Sequence, residues 1–252
     1  MRNTLVRRTV LTASAVSLAL LGTACGSDKA DSKAEGKPSV PAPSAPSAAK
    51  GKTDAELAAV VVTQADLKDY LVSPEAATKA AATPVATDKA ACEPLARIQA
   101  AQKVGAPVGV ARTALKAKPK ESAANASPED KLKAGLLALG ADQTLISIGS
   151  YDGKGAEEAF ASVKAAGAAC AAGYTLTAEG DKTKLDSVTP GPISARDEAV
   201  HYTVIMDLGD GEKSPGHLVA VRKGNTLATF YTFGVEATYP GDLVDTQLTK
   251  IG

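Results

Sequence analysis

The sequence predicts an α+β fold, a single domain built on an antiparallel sheet with helices set against it. Three observations lead there. Between Thr144 and Val235 strand-like segments follow one another, separated by clusters of Gly, Asp, Asn and Pro with hairpin composition. Segments with helical apolar spacing stand before, within and after that run. Eight of the nine aromatic residues lie at or beyond Tyr151, so the main core belongs to the second half of the chain.

The chain opens with Arg2, Arg7 and Arg8, an uncharged stretch from Val10 to Leu21, and then Gly22-Thr23-Ala24-Cys25. A basic start, a short apolar run and small residues at a cut site make a secretory signal peptide over residues 1–24. The run falls short of the roughly 20 residues that a helix needs to cross a hydrocarbon core. With Cys25 first after the cut, the segment resembles a bacterial lipoprotein signal, which implies a lipid on the Cys25 thiol and attachment to the extracytoplasmic face of the membrane. The alternative is a secreted protein cut after Ala24 with Cys25 unmodified. Arg7-Arg8 followed by Thr9-Val10-Leu11 also resembles a twin-arginine signal, so both export routes stay open. Losing residues 1–24 removes three arginines and no acid, taking the formal charge from +0 to −3. So small an acidic excess gives no reason to expect nucleic acid as a partner. Residues 25–53 are rich in Pro, Ser, Ala, Gly and charge; they are expected to form a disordered tether, with the folded domain over 54–252. Fully stretched, the tether reaches at most roughly 95 Å.

Within the domain, Thr53 to Glu56 reads as a capping box opening a helix over Asp54–Val62, with Leu57, Val60 and Val61 on one face. A turn at Asp66–Tyr70 leads into a short extended segment that ends before Pro74. A second helix is predicted over Thr87–Gln102 and a strand over Val108–Lys116, followed by an exposed polar loop, Ala117–Asp130. Next come a strand Thr144–Tyr151, an Ala-rich helix Ala156–Ala172 and a strand Lys184–Thr189. Ala199–Leu208 alternates cleanly; Gly209–Gly216 reads as a hairpin loop, and strands His217–Arg222 and Thr226–Val235 follow. Pro240-Gly241 opens a final helix carrying Leu243, Val244 and Leu248.

With Cys25 assigned to the lipid, Cys92 and Cys170 remain as an even pair outside the cytoplasm, which favours a disulfide over two buried free thiols. Such a bridge closes a loop of roughly 80 residues and contributes on the order of 4–5 kcal/mol in the chain-entropy model.

No catalytic residue, metal set or cofactor is expected. The histidines, His201 and His217, read as satisfied structural residues, and Gly149-Ser150 lacks the spacing of a nucleophile elbow. Asp207, Asp210 and Glu212 lack an EF-hand pattern, and Gly153-Lys154-Gly155 is a turn without P-loop spacing. What the residues do offer is a set of tyrosines, Tyr151, Tyr174, Tyr202, Tyr231 and Tyr239, whose flat faces and polar ends suit a cleft for a small amphipathic or saccharide-like ligand. Packing in the core or at its rim is the other reading of each.

Several short pieces together resemble the PknH-like extracellular sensor domain of actinobacterial receptor kinases and free lipoproteins. They are Asp66-Leu67-x-x-Tyr70, Cys92-x-Pro94-Leu95, Ser150-Tyr151, and Ala159-Phe160 leading to Cys170. Val219-Ala220-Val221-Arg222-x-Gly224-Asn225 and Val244-x-x-Gln247-x-x-Lys250 complete the set. The resemblance spans about residues 60–250 and implies a twisted antiparallel sheet with flanking helices, a central cleft and disulfide bracing. The expected function is therefore a non-catalytic, membrane-anchored module that binds a ligand or senses at the cell envelope. The alternative is a structural or protein-interaction lipoprotein with no small-molecule ligand.

Overall fold

The computed structural model describes residues 50–118, 127–132, 140–194 and 198–252. The expected signal peptide, nearly all of the tether and most of the Ala117–Asp130 loop lie outside those residues. Gly51 and Lys52, expected at the end of the tether, are tied into the body: the Gly51 N–H donates to Asp152 Oδ1 at 2.7 Å and the Lys52 N–H to Ser150 Oγ at 2.9 Å.

Helix α1 (Asp54–Ala58) opens on both halves of the capping box, with the Thr53 N–H donating to the Glu56 carboxylate at 2.7 Å. It ends before the expected Val62. Val60, Val61 and Val62 are three consecutive β-branched residues, and the Gln247 side chain takes up the Val60 carbonyl and the Val62 N–H instead. Strand β1 (Tyr70–Ser73) runs directly into α2 (Pro74–Ala82), where the Ser73 hydroxyl caps the Ala76 N–H and Pro74 occupies the first turn. The predicted Thr87–Gln102 helix is shorter than its pattern. Its first residue belongs to strand β2 (Val85–Thr87), a 3₁₀ turn spans Ala90–Cys92, and helix α3 is Glu93–Gln99. Ala101, at φ 51°, has left the helical region.

Strands β3 (Gly109–Ala117) and β4 (Gln143–Ser150) precede helix α4 (Gly155–Ala169). Strand β5 (Tyr174–Ala178) is joined to β6 (Asp181–Pro190) by Glu179-Gly180, both at positive φ as a tight two-residue hairpin requires. Strands β7 (Glu198–Gly209) and β8 (Glu212–Lys223) turn the same way through Asp210-Gly211, so the hairpin loop expected over Gly209–Gly216 is in fact mostly strand. Pro215 is tolerated within β8 because the pairing with β9 (Thr226–Phe233) begins only at Gly216, leaving Pro215 with β7 as its one strand neighbour. Helix α5 (Gly241–Ile251) closes the described chain.

Among the described residues the nine strands form one open sheet in the order β1-β3-β4-β9-β8-β7-β6-β5-β2, every pair antiparallel. Both edges are short, with four residues in β1 and three in β2, a length that offers little template for another chain. The interior strand β9 is buried on both faces, and its alternation splits the core in two. Tyr231 points into a cluster with α3 and α4 (Leu95, Ile98, Phe160, Val163), and Phe230 into a cluster with α1 and α5 (Leu57, Val244, Leu248). The fold is α+β, helices covering both faces of a single antiparallel sheet.

Candidate functional site

Cys92 ends the 3₁₀ turn ahead of α3, Cys170 caps α4, and a disulfide joins them with 5.9 Å between their Cα atoms. Both are fully buried in the cluster on the α3–α4 face. The bridge fixes the two helices that carry that layer.

The tyrosines do not converge on a cleft. Tyr151, Tyr174, Tyr202 and Tyr231 are all buried in the same cluster as the disulfide. The Tyr151 hydroxyl donates to the Val104 carbonyl at 2.6 Å, Tyr174 bonds Gln99, and Tyr231 reaches the Met206 sulfur at 3.3 Å. Burial pushes Tyr231 up to about 12, opposed by Gln99, and lifts Tyr151 and Tyr174 well above the ordinary phenol range, so all stay neutral. These side chains fall on the face that α3 and α4 cover, and rings of that size fill it. Tyr239 differs. It lies on the opposite face, half-buried, with its ring 4.6 Å from that of His201. Together with Tyr70, Asp142 and Asp242 it borders an open cavity of about 430 Å³ with a mixed polar and apolar lining.

A second cavity, about 510 Å³ and mostly apolar, lies where sequence reasoning placed nothing. It owes its existence to a short strand. Pairing of β1 with β3 stops at Ser73 opposite Ala114, which leaves the Val110–Arg112 stretch of β3 without a strand on its outer side. The Val110 N–H points outward and donates to Asp54 Oδ1 at 2.7 Å. Strand alternation turns the Arg112 N–H and C=O to the same side. Val61, Val62, Val72 and Pro74 supply the apolar wall. Arg112 is anchored by its Nε–H, which donates to the Ala101 carbonyl at 2.6 Å. Burial lowers the proton affinity of this guanidinium and Asp54 raises it, and so deep a base keeps its charge. An apolar hollow with the Asp54 carboxylate and main-chain hydrogen-bonding groups of β3 at its wall can hold a small amphipathic molecule. The signal in the sequence is faint: Ser73-Pro74, which ends β1 early, is its cause.

His201 and His217 bond to each other and to the main chain at Pro192 and Ala237. Asp207 and Glu212 flank the β7–β8 turn, and among the described residues no three His, Cys, Asp or Glu side chains gather closely enough to hold a metal ion.

The fold is a single α+β domain with a cavity at the edge of its sheet. No family model and no curated protein matches this chain. Among solved structures it is similar to the extracellular domain of PknH from Mycobacterium tuberculosis, with 12% identity and a TM-score of 0.45 over 80% of this chain and 97% of that one.

Proposed function

We propose that this chain is a membrane-anchored extracytoplasmic lipoprotein whose domain binds a ligand without catalysis, as a sensing or capture module at the cell envelope. Residues 1–24 serve as the signal, Cys25 carries the lipid, and the segment after it holds the domain off the membrane. The observation that carries the binding role is the apolar cavity of about 510 Å³ at the open edge of β3, with Arg112 and Asp54 beside it. Its chemistry suits a small molecule with an apolar body and an anionic or hydrogen-bonding end. A second reading, a structural or protein-interaction lipoprotein, is favoured by the four tyrosines that fill the α3–α4 face where an aromatic cleft was expected.

Native mass spectrometry of the domain isolated from its own envelope tests the binding role. A reproducible added mass, lost in Arg112→Ala, supports it, and a bare mass in every preparation moves the reading to the structural alternative. Lipid anchoring is tested separately: Cys25→Ala should move the protein from the membrane to the soluble fraction, and undiminished membrane retention would refute the anchor.

A further inference from the structure

The two histidines hold three hydrogen-bond contacts that two neutral imidazoles cannot satisfy. His201 on β7 and His217 on β8 lie diagonally across the hairpin, on the face covered by α1 and α5. His201 Nδ1 is 2.9 Å from the Pro192 carbonyl, His201 Nε2 is 2.9 Å from His217 Nδ1, and His217 Nε2 is 3.0 Å from the Ala237 carbonyl. A carbonyl only accepts, so both outer nitrogens must carry hydrogen. A neutral imidazole has a single N–H. With both hydrogens outside, the two inner nitrogens face each other as lone pairs. Any other choice of tautomers turns a lone pair on a carbonyl. Three contacts need three protons, and two neutral rings bring two.

We propose that His201 and His217 bind one proton as a unit, and that this proton fastens the 234–240 segment, which carries Ala237 and Tyr239, to the sheet. In the charged pair both outer N–H groups reach their carbonyls and the third proton lies between the rings. Uptake stops at one. A fourth proton would find no acceptor between the rings and would set two cations side by side. Burial acts in the same sense, holding His201 below the ordinary imidazole range; the Pro192 carbonyl opposes it and His217 adds to it. His201 is buried while His217 is partly exposed, so the proton has a route to solvent.

The titratable side chains on the neighbouring elements are mainly acidic. The stretch Pro190–Ile193 leading from β6 brings no titratable side chain, and β9 brings Thr232 opposite His217. The 234–240 segment brings Glu236 and the neutral Tyr239, whose ring lies on His201. Helix α5 brings Asp242 and Asp245, and the turn before β4 brings Asp142, whose Oδ2 accepts from the Thr238 N–H at 3.3 Å. Thr238, Tyr239 and Pro240 wall the cavity of about 430 Å³. Loss of the proton takes from the Ala237 contact either its charge or its hydrogen, and so weakens the hold on one side of that cavity.

The test is nitrogen-15 NMR of the histidine rings in the full chain from pH 5 to 9, with amide exchange of Thr238 and Gly241 followed in parallel. The expected result is one step in which both rings shift together, flanked at lower pH by a state with one shared extra proton. Across that step the protection factors of the two amides should fall about 10- to 100-fold as the bond to Ala237 loses its charge assistance or its hydrogen. In His217→Gln the same protection factors should no longer depend on pH. Two rings titrating in separate steps, or unchanged protection across the step in the native chain, would overturn the proposal.

Discussion

Gln247 is fully buried, yet it faces no polar side chain; it stands in for main chain. Its amide donates to the Val60 carbonyl at 2.8 Å and accepts from the Val62 N–H at 2.9 Å, closing the gap left where α1 stops. Gln247→Leu keeps the volume and strands both groups, so a loss of about 2–4 kcal/mol is expected in urea unfolding. Thr113 presents the opposite case. Among the described residues its hydroxyl is the one buried side-chain polar atom with no partner. Thr113→Val removes an unmet hydroxyl at equal shape, and stability should rise by about 1 kcal/mol; a loss of that size would mean the hydroxyl has a partner after all. Gly167 is a third kind of constraint. A Cβ there would lie 2.1 Å from the Tyr202 ring, so Gly167→Ala should lose about 1–3 kcal/mol despite its better helix propensity. None of the three was legible in the sequence as a role. Each depends on a partner far along the chain, and a polar residue on a helix does not declare whether it faces water or a broken turn.

Elements were more legible where a local cause sets them. The Thr53–Glu56 box, the alternation through β7 and the Pro240-Gly241 start of α5 each act within a few residues, and each lies where its pattern placed it. Strands β2 and β5 and helix α2 were not foreseen. β2 is three residues long, and Ala-rich α2 has one buried side chain, Ala77, so neither carries an apolar period to read. The β7–β8 turn shows how much rides on one assignment. A loop over Gly209–Gly216 would have set His217 opposite Leu208; the Asp210-Gly211 turn sets it opposite Thr203, within reach of His201. The Cys92–Cys170 bridge also belongs to this scale, because it links α3 and α4 across 78 positions of sequence. Replacing both cysteines by alanine should lower stability by about 2–5 kcal/mol. Circular dichroism should show the sheet retained below the new midpoint; loss of strand signal at low temperature would mean that the bridge is needed for the fold itself.

At the scale of the molecule, the α+β class followed from composition and order of elements, whereas the cavity at the β3 edge did not. A cavity is what packing leaves over, and here it depends on β1 ending before it covers Val110–Arg112. The start of the described chain has a consequence of its own. Lys50, Gly51 and Lys52 are held by Asn225, Asp152 and Ser150, side chains at the end of β4 and in the β8–β9 turn. Those strands are in the middle of the sheet, not at its rim. A pull arriving through the preceding residues is therefore shared among several interior strands at once, instead of peeling one margin strand from its neighbour. A domain held at this point can bear such a pull while its weaker borders stay unloaded.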